Sequence, residues 1–390
     1  MVALSQLHPL RGTAPAESSL GVYVHVPFCT KKCYFCSFNT APMDDDAMAR
    51  YLAALHREIA LVAALPWADR CRIDSVFFGG GTPSLLTGEA LRAVIDDLRR
   101  RFPLDADAEI TVESNPESVE PAKLAHYRAA GVTRISLGVQ ALDDAILPAI
   151  GRLHDATAAQ DAFTACRGAG FDHVSVDLMY GLPGLGVEAW TRAVRAVLDW
   201  APDHLSAYGM TLDGGSLWGA SGIDGVPDED VVVAQYWALA REAASRGFEH
   251  YEISNYARPG HRSRHNERYW RRREYLALGP GACGFVGDLR YANVKPVARY
   301  AALLDGGELP LDTTERLTPA QALAEQLFLG LRTADGVSRD VLDARTAGAP
   351  SLRRRVDGWI ADGLMVAERE RVRLTERGFL VSDALFVELL

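Results

Sequence analysis

The sequence predicts an α/β fold: a partial (β/α)6 TIM-like barrel followed by a C-terminal, mostly helical, winged-helix-like region. Three observations predict it. Between Gly21 and Leu212, short runs rich in β-branched residues alternate with longer segments of helical spacing. The runs read as apolar nearly throughout, which belongs to a parallel sheet covered by helices. Polar residues that packing alone would not ask for recur at the C-terminal ends of these runs, where β/α barrels and open α/β sheets both place their sites. Six units instead of eight leave the barrel incomplete.

The strands are expected at Gly21–Pro27, Asp74–Phe78, Glu109–Glu113, Arg134–Gln140, His173–Met179 and His204–Met210. Between the first two, residues 48–64 put Tyr51, Leu52, Leu55, Ile59 and Val62 on one helical face, and residues 89–101 do the same with Leu91, Ile95 and Leu98. After Leu212 the rhythm loosens into a Gly/Asp stretch, a helix near 231–246 and the segment YEISNYARPGHRSRHNERYW. From about Leu317 the chain turns mostly helical, ending as helix, short hairpin, helix, which suits a lid or packing module. The domains are therefore expected as an N-terminal extension 1–20, a β/α core 21–215, an extension 216–310 carrying HNERYW, and a C-terminal domain 311–390.

With 390 residues, 48% of them hydrophobic and 24% charged, the chain has ample material for a core without staples. Its 41 basic and 51 acidic residues leave a formal charge of −10, with no block of like charge, so no nucleic-acid partner is expected. The short runs Arg271–Arg273 and Arg353–Arg355 read as solvated faces. The first residues lack the apolar centre of a signal peptide, and no apolar stretch approaches the ~18 residues of a membrane span. The expected address is the cytoplasm, where the six cysteines are free or metal-bound instead of paired.

Half of those cysteines, Cys29, Cys33 and Cys36, crowd the loop after the first strand, while Cys71 and Cys166 stand alone. Structural zinc wants four closed ligands, and no second pair follows. Three thiolates can instead each hold one iron of a cubane [4Fe–4S] cluster, leaving the fourth iron open to a ligand. Next comes FFGGGTPSLL, in which Gly79, Gly80, Gly81 and Thr82 close the second strand and let a small zwitterion approach the backbone. Glu113, Gln140 and Asp177 stand at later strand ends, joined by Arg152 in IGRLH.

CxxxCxxC after the first strand of a β/α array resembles the radical S-adenosylmethionine superfamily. That resemblance implies a [4Fe–4S] cluster whose open iron chelates S-adenosylmethionine and cleaves it reductively to a 5′-deoxyadenosyl radical. The cofactor then carries the hard chemistry, which the protein orients and shields. The glycine loop would receive the methionine amino group. Glu113, Gln140, Arg152 and Asp177 match the S-adenosylmethionine contacts of the oxygen-independent coproporphyrinogen III oxidase-like family, and Tyr23 matches its cofactor-stacking tyrosine. The likeness runs from about Val22 to the C-terminus.

Within that family the chain resembles the heme chaperone branch. The oxidase continues CxxCxC, where this chain has Phe38; the chaperones carry HNxxYW, present here as His265, Asn266, Tyr269 and Trp270. The imidazole would serve heme iron and the rings a porphyrin face. Chaperone function implies heme, a heme acceptor protein, and an electron donor such as flavodoxin or ferredoxin. Ser37 and Cys283 depart from the branch pattern. They keep open a radical methylase using two S-adenosylmethionine molecules, or an oxidase, each acting on a small-molecule substrate. Cys283 reads as a small apolar filler, since no activating base adjoins it. A zinc scaffold with a winged-helix tail is the third reading.

Overall fold

Strands β1 (Ser19–Val26), β2 (Arg72–Gly80), β3 (Leu104–Ser114), β4 (Arg134–Gln140), β5 (His173–Tyr180) and β6 (His204–Gly209) lie side by side, parallel and in chain order, in a computed structural model that describes residues 9–389. All six expected strands are there. They form the middle of a twelve-stranded sheet whose remaining strands come from the segment expected to be an extension and, for the last, from the start of the expected C-terminal domain. These are β7 (Glu249–Glu252), β8 (Asn255–Ala257), β9 (Tyr275–Leu278), β10 (Cys283–Val286), β11 (Leu289–Asn293) and β12 (Leu311–Arg316), giving the order β12-β11-β10-β9-β1-β2-β3-β4-β5-β6-β8-β7. β9 is a seventh parallel strand, running beside β1, whereas β7, β8 and β10–β12 are antiparallel additions. The two end strands do not pair with each other, so the barrel is partial, as six units predict.

Crossover helices cover one face. Helix Asp45–Ala63 begins where the Asp44 carboxylate accepts from the Ala47 N–H, and buries Met48, Tyr51, Leu55, Ile59 and Val62. Helix Gly88–Arg101 is capped in the same way by Thr87 and buries Leu91, Val94, Ile95 and Leu98. These side chains meet Val22, Val24, Val26, Val76, Phe78, Ile110 and Val112 from the sheet in one continuous core, each fully buried one contributing roughly 1.5–3 kcal/mol.

The other face differs. Because side chains alternate along a strand, the residues between those valines all point the opposite way. They are largely polar: Tyr23 and His25; Ser75; Glu109, Thr111 and Glu113; Arg134 and Ser136; Ser175 and Asp177; His204 and Ser206. The parallel register brings them abreast, as in the pairings Ser75 with Glu109, Glu113 with Ser136, and Asp177 with Ser206. Strands apolar nearly throughout are thus found on one face only, and the other is the polar lining of the barrel interior.

The C-terminal region runs helix Pro319–Leu331, β13 (Val337–Ser338), helices Arg339–Thr346 and Pro350–Ala361, then the hairpin β14 (Met365–Ala367) and β15 (Arg371–Leu374). Strand order β13-β15-β14 and this succession are those of a winged helix. The module has its own core around Leu327, Leu331, Val356, Trp359, Met365 and Phe379. It docks on the main sheet through Glu325, paired with Arg272 at 3.2 Å and Arg290 at 2.8 Å, and through Glu376 against His250 at 2.9 Å. The basic runs are more than solvated faces: Arg271, Arg272 and Arg273 pair with Glu267, Glu325 and Glu17, while Arg353 pairs with Asp343 and Asp357 and Arg355 with Glu388. No helix among the described residues is long and apolar enough to cross a membrane.

Candidate functional site

A cleft of about 420 Å³ opens at the C-terminal ends of β1 to β6. Its walls gather Cys29, Cys33 and Cys36 from the loop after β1, Gly80, Gly81 and Thr82 after β2, Glu113 and Asn115 at the end of β3, Gln140 after β4, Arg152, and Asp177 of β5. Residues spread over 149 positions of sequence meet here because every parallel strand delivers its C-terminal end to the same side.

The first two loops interlock. The Gly81 N–H donates to the Val26 carbonyl at 2.8 Å and the Thr82 N–H to the Phe28 carbonyl at 2.7 Å. A Cβ on Gly81 would stand 2.5 Å from the Phe28 carbonyl oxygen, so the approach requires glycine. Farther along, the Asn39 side chain donates to the carbonyls of Pro280 and Lys295 at 3.0 and 3.1 Å, and its own carbonyl meets His25 Nε2 at 2.8 Å. The cysteine loop is thereby held at both ends.

All three thiols are half-buried and free of disulfides. Thr82 Oγ1 donates to Cys29 Sγ and Arg152 Nη1 to Cys33 Sγ, each at 3.6 Å, contacts that favour thiolate. Burial pushes the Cys29 thiol up to about 11, with Thr82 pulling the other way; burial raises Cys36 as well. Among the described residues no three His, Cys, Asp or Glu side chains converge tightly enough for a single metal ion. A cubane asks for something else, three sulfurs spread over three irons around one open corner. The donor set fits such a cluster: thiols only, three of them, beside an open cleft.

Facing the cysteines are two carboxylates with no ion pair among the described residues, Arg152 acting on Asp177 only at a distance. Burial, and then Asp177, push the Glu113 carboxyl up to about 8; it accepts a hydrogen bond from the Gly80 N–H at 3.2 Å. Burial pushes Asp177 up to about 6 despite hydrogen bonds from Ser136 at 3.0 Å to both its oxygens and from Ser175 at 3.4 Å. Arg152, 7% exposed, is held by the Gly138 carbonyl and Asn115 Oδ1 and leaves its Nε without a partner. Gln140 sits at a register shift between β4 and β5 with φ of +68°, a left-handed backbone that a non-glycine residue adopts at some cost. Paired buried anions are stabilised by a ligand bearing net positive charge. S-Adenosylmethionine, with an ammonium, a sulfonium and one carboxylate, is such a ligand.

The remaining expected residues fall elsewhere. Tyr23 lies beside Glu113 behind Gly79, with its ring stacked on Phe77 at 6.2 Å and its hydroxyl 3.0 Å from His25 Nδ1, outside the cleft lining. Helix Arg264–Trp270 packs at the opposite, N-terminal end of the strands. His265 is 0% exposed, its Nδ1 3.0 Å from Ser75 Oγ and its Nε2 2.9 Å from Tyr269 OH, with Phe77 stacked at 5.3 Å. Burial, helped by Arg268, lowers its imidazole to about 3. With both nitrogens engaged and no open space, the ring as folded is a hydrogen-bonded core residue and has no lone pair to offer iron. Tyr269 packs edge-on to Tyr275 at 4.7 Å, Asn266 is half-buried with its N–H on the Ser263 cap, and Trp270 lies under Arg332 at 4.4 Å. Cys283 is exposed at the start of β10, 3.9 Å from the Gly281 carbonyl, so it fills no core space and does not reach the cleft.

Sequence reasoning missed Asn115, Ser136 and Tyr208 among the lining residues. For Ser136 and Tyr208 the signal was present as period-two alternation in RISLGVQ and HLSAYG, whereas Asn115, just past the end of its strand, carries no such signal.

A model of the radical SAM superfamily matches residues 23–197, and one of the HemN C-terminal domain matches residues 317–381. Over 388 residues, 98% of this chain and 97% of the relative, the sequence is 38% identical to the heme chaperone HemW of Mycobacterium tuberculosis. It is 37% identical to that of Escherichia coli, covering 94% of this chain and 97% of that one, and 31% identical to that of Bacillus subtilis, covering 93% and 97%. Among solved structures, the coproporphyrinogen III oxidase HemN of Escherichia coli superposes with a TM-score of 0.86 at 23% identity, covering 97% of this chain and 92% of that one, and so shares the fold.

Proposed function

The chain belongs to the heme chaperone HemW family of radical SAM proteins, and from that premise we propose that it binds a [4Fe–4S] cluster, S-adenosylmethionine and heme, and passes the heme to an acceptor protein. The observation that carries the site is the meeting, in one cleft, of three thiols with two buried carboxylates that have no ion pair among the described residues. In this reading Cys29, Cys33 and Cys36 hold the cluster. Gly80, Gly81 and Thr82 offer backbone to the methionine end of S-adenosylmethionine, and Glu113, Gln140, Arg152 and Asp177 hold its charges. When bound, the cluster supplies S-adenosylmethionine with one electron.

The residues' own work is positional and electrostatic. Thr82 and Arg152 stabilise thiolates, the interlocked loops set the distance between the sulfur and glycine sides, and Phe35 and Met179 in the cleft wall displace water from it. Glu113 binds as an anion once a cationic ligand arrives. The electron comes from a low-potential carrier such as flavodoxin or ferredoxin, and the setting is the cytoplasm.

Hemin titration of the cluster-loaded chain tests the reading. A saturable Soret shift is expected; its absence, or release of a methylated or decarboxylated product with stoichiometric 5′-deoxyadenosine, would exchange the chaperone for an enzyme proper.

A further inference from the structure

Of the eight large hydrophobic side chains exposed among the described residues, Phe38 at 62% and Tyr208 at 44% line the cleft, and Leu217 at 57%, Leu153 at 50% and Leu212 at 49% adjoin in sequence residues that line it or pack on its wall. They come from four segments, and the structure shows these to be one rim. The Tyr34 N–H donates to the Ile150 carbonyl at 3.2 Å, bringing the Leu153 loop against the cysteine loop. The Trp218 N–H donates to the Tyr34 carbonyl at 3.0 Å while its ring leans on Tyr34 and Phe35, bringing Leu217 there too. Tyr208 and Thr211 line the same cleft as Phe38 and carry Leu212 with them.

A contiguous exposed apolar patch marks a binding surface. Here exposed apolar side chains from four segments gather about the mouth of a polar hole. The floor suits a small zwitterion and the collar does not, so a second ligand of different chemistry belongs above the first.

Lys31 and Lys32 stand on the same rim, exposed. Lys31 Nζ lies 5.3 Å from the Tyr34 ring and Lys32 Nζ donates to the Phe38 carbonyl at 3.2 Å, contacts that do not neutralise an ammonium. The chain has only four lysines, Lys31, Lys32, Lys123 and Lys295, within 41 basic residues. The adjacent pair is therefore set apart from the arginines this protein uses nearly everywhere else. Lysine is a mobile point charge on a flexible stem, matched to carboxylates that are themselves on flexible arms.

We propose that this collar is the heme seat: a flat metalloporphyrin lies across the mouth of the cleft, its faces and edge on Phe38, Leu153 and Leu217 and its two propionates at Lys31 and Lys32. The inference rests on the heme chaperone reading and gives that cargo a location, at the opposite end of the strands from His265. A protein surface laid over the same ring would enclose the hole beneath it, whereas a porphyrin spans the opening and keeps its charged edge at the lysines.

Hemin and heme dimethyl ester, which lacks free propionates, are titrated into the cluster-loaded full chain, with iron and sulfide measured in every sample. Phe38→Asp combined with Leu217→Asp is expected to weaken both ligands at least tenfold with iron and sulfide unchanged. Lys31→Gln with Lys32→Gln is expected to weaken hemin several-fold and the ester not at all, and the wild type to prefer hemin over the ester. Wild-type affinity in the Asp variants, or equal loss of hemin and ester in the Gln variants, overturns the seat while leaving the chaperone reading in place. Retained hemin affinity with lost transfer to apomyoglobin also overturns it, because the collar would then be the acceptor's surface. Failure of the wild type to bind hemin removes the chaperone reading itself.

Discussion

The two ends of the barrel interior are built from the same strands and are equally rich in charge, yet they treat that charge in opposite ways. At the N-terminal end, Arg268, 2% exposed, meets Asp74, Ser19 Oγ at 2.9 Å and the Glu274 carbonyl at 3.0 Å, and Arg134 meets Glu109 at 3.2 Å and the His261 carbonyl at 2.8 Å. Burial pushes the Asp74 carboxyl up, but Arg268 and Ser19 outweigh it and leave it below the ordinary range. At the C-terminal end, Glu113 and Asp177 line the cleft with no ion pair among the described residues, Asp177 held by serine hydroxyls and only distantly by Arg152. The lesson is that burial of charge is not itself the mark of a site. A buried charge with its partners in place is structure, and one whose partner must come from outside is function.

Substitutions at the two ends should therefore fail differently. The largest effect is expected from Cys33→Ala, which should lose the cluster altogether, read as iron and sulfide content, while the fold persists by circular dichroism. Arg268→Ala should cost about 3–5 kcal/mol in denaturant unfolding by stranding Asp74, with affinity for S-adenosylmethionine in the surviving folded fraction unchanged. A matching loss of affinity would erase the distinction between the ends.

Glu113→Gln should do the reverse. Affinity for S-adenosylmethionine is expected to fall by roughly 2 kcal/mol, measured by calorimetry, because a charge-assisted interaction is removed. Stability without ligand should rise at pH 8. The folded Glu113 carboxyl titrates near 8 against an ordinary 4.5, so between those values the folded chain holds a proton that the unfolded chain gives up, and its contribution to stability declines as pH climbs through that window. The glutamine variant should flatten that slope by about 1 kcal/mol or more. His265→Ala, the mildest of the set, should cost about 2 kcal/mol of stability through lost packing and hydrogen bonds and leave hemin affinity as it was. A heme affinity that fell with it would return the iron to that helix.

Much of the architecture was legible because parallel β/α units are written locally. Each carries its strand, crossover and helix in about thirty consecutive residues, and β4 was bounded to the residue. β9 was not legible: YLAL is four residues long and runs straight into GPG, so only its partner β1, more than two hundred and fifty positions earlier, makes it a strand. The cysteine loop could be read because spacing of three and two is a local property. The environment of His265 could not, since its neighbours Ser75, Phe77 and Glu109 are set by sheet register, and residue type alone does not distinguish a satisfied imidazole from a waiting one.

The contact of Gly81 with the backbone at Phe28 has a consequence for the geometry of the site. Because the amides of one turn are already committed to the carbonyls of the other, the sulfur-bearing and nucleotide-bearing walls move as one body, and their spacing is inherited from the polypeptide.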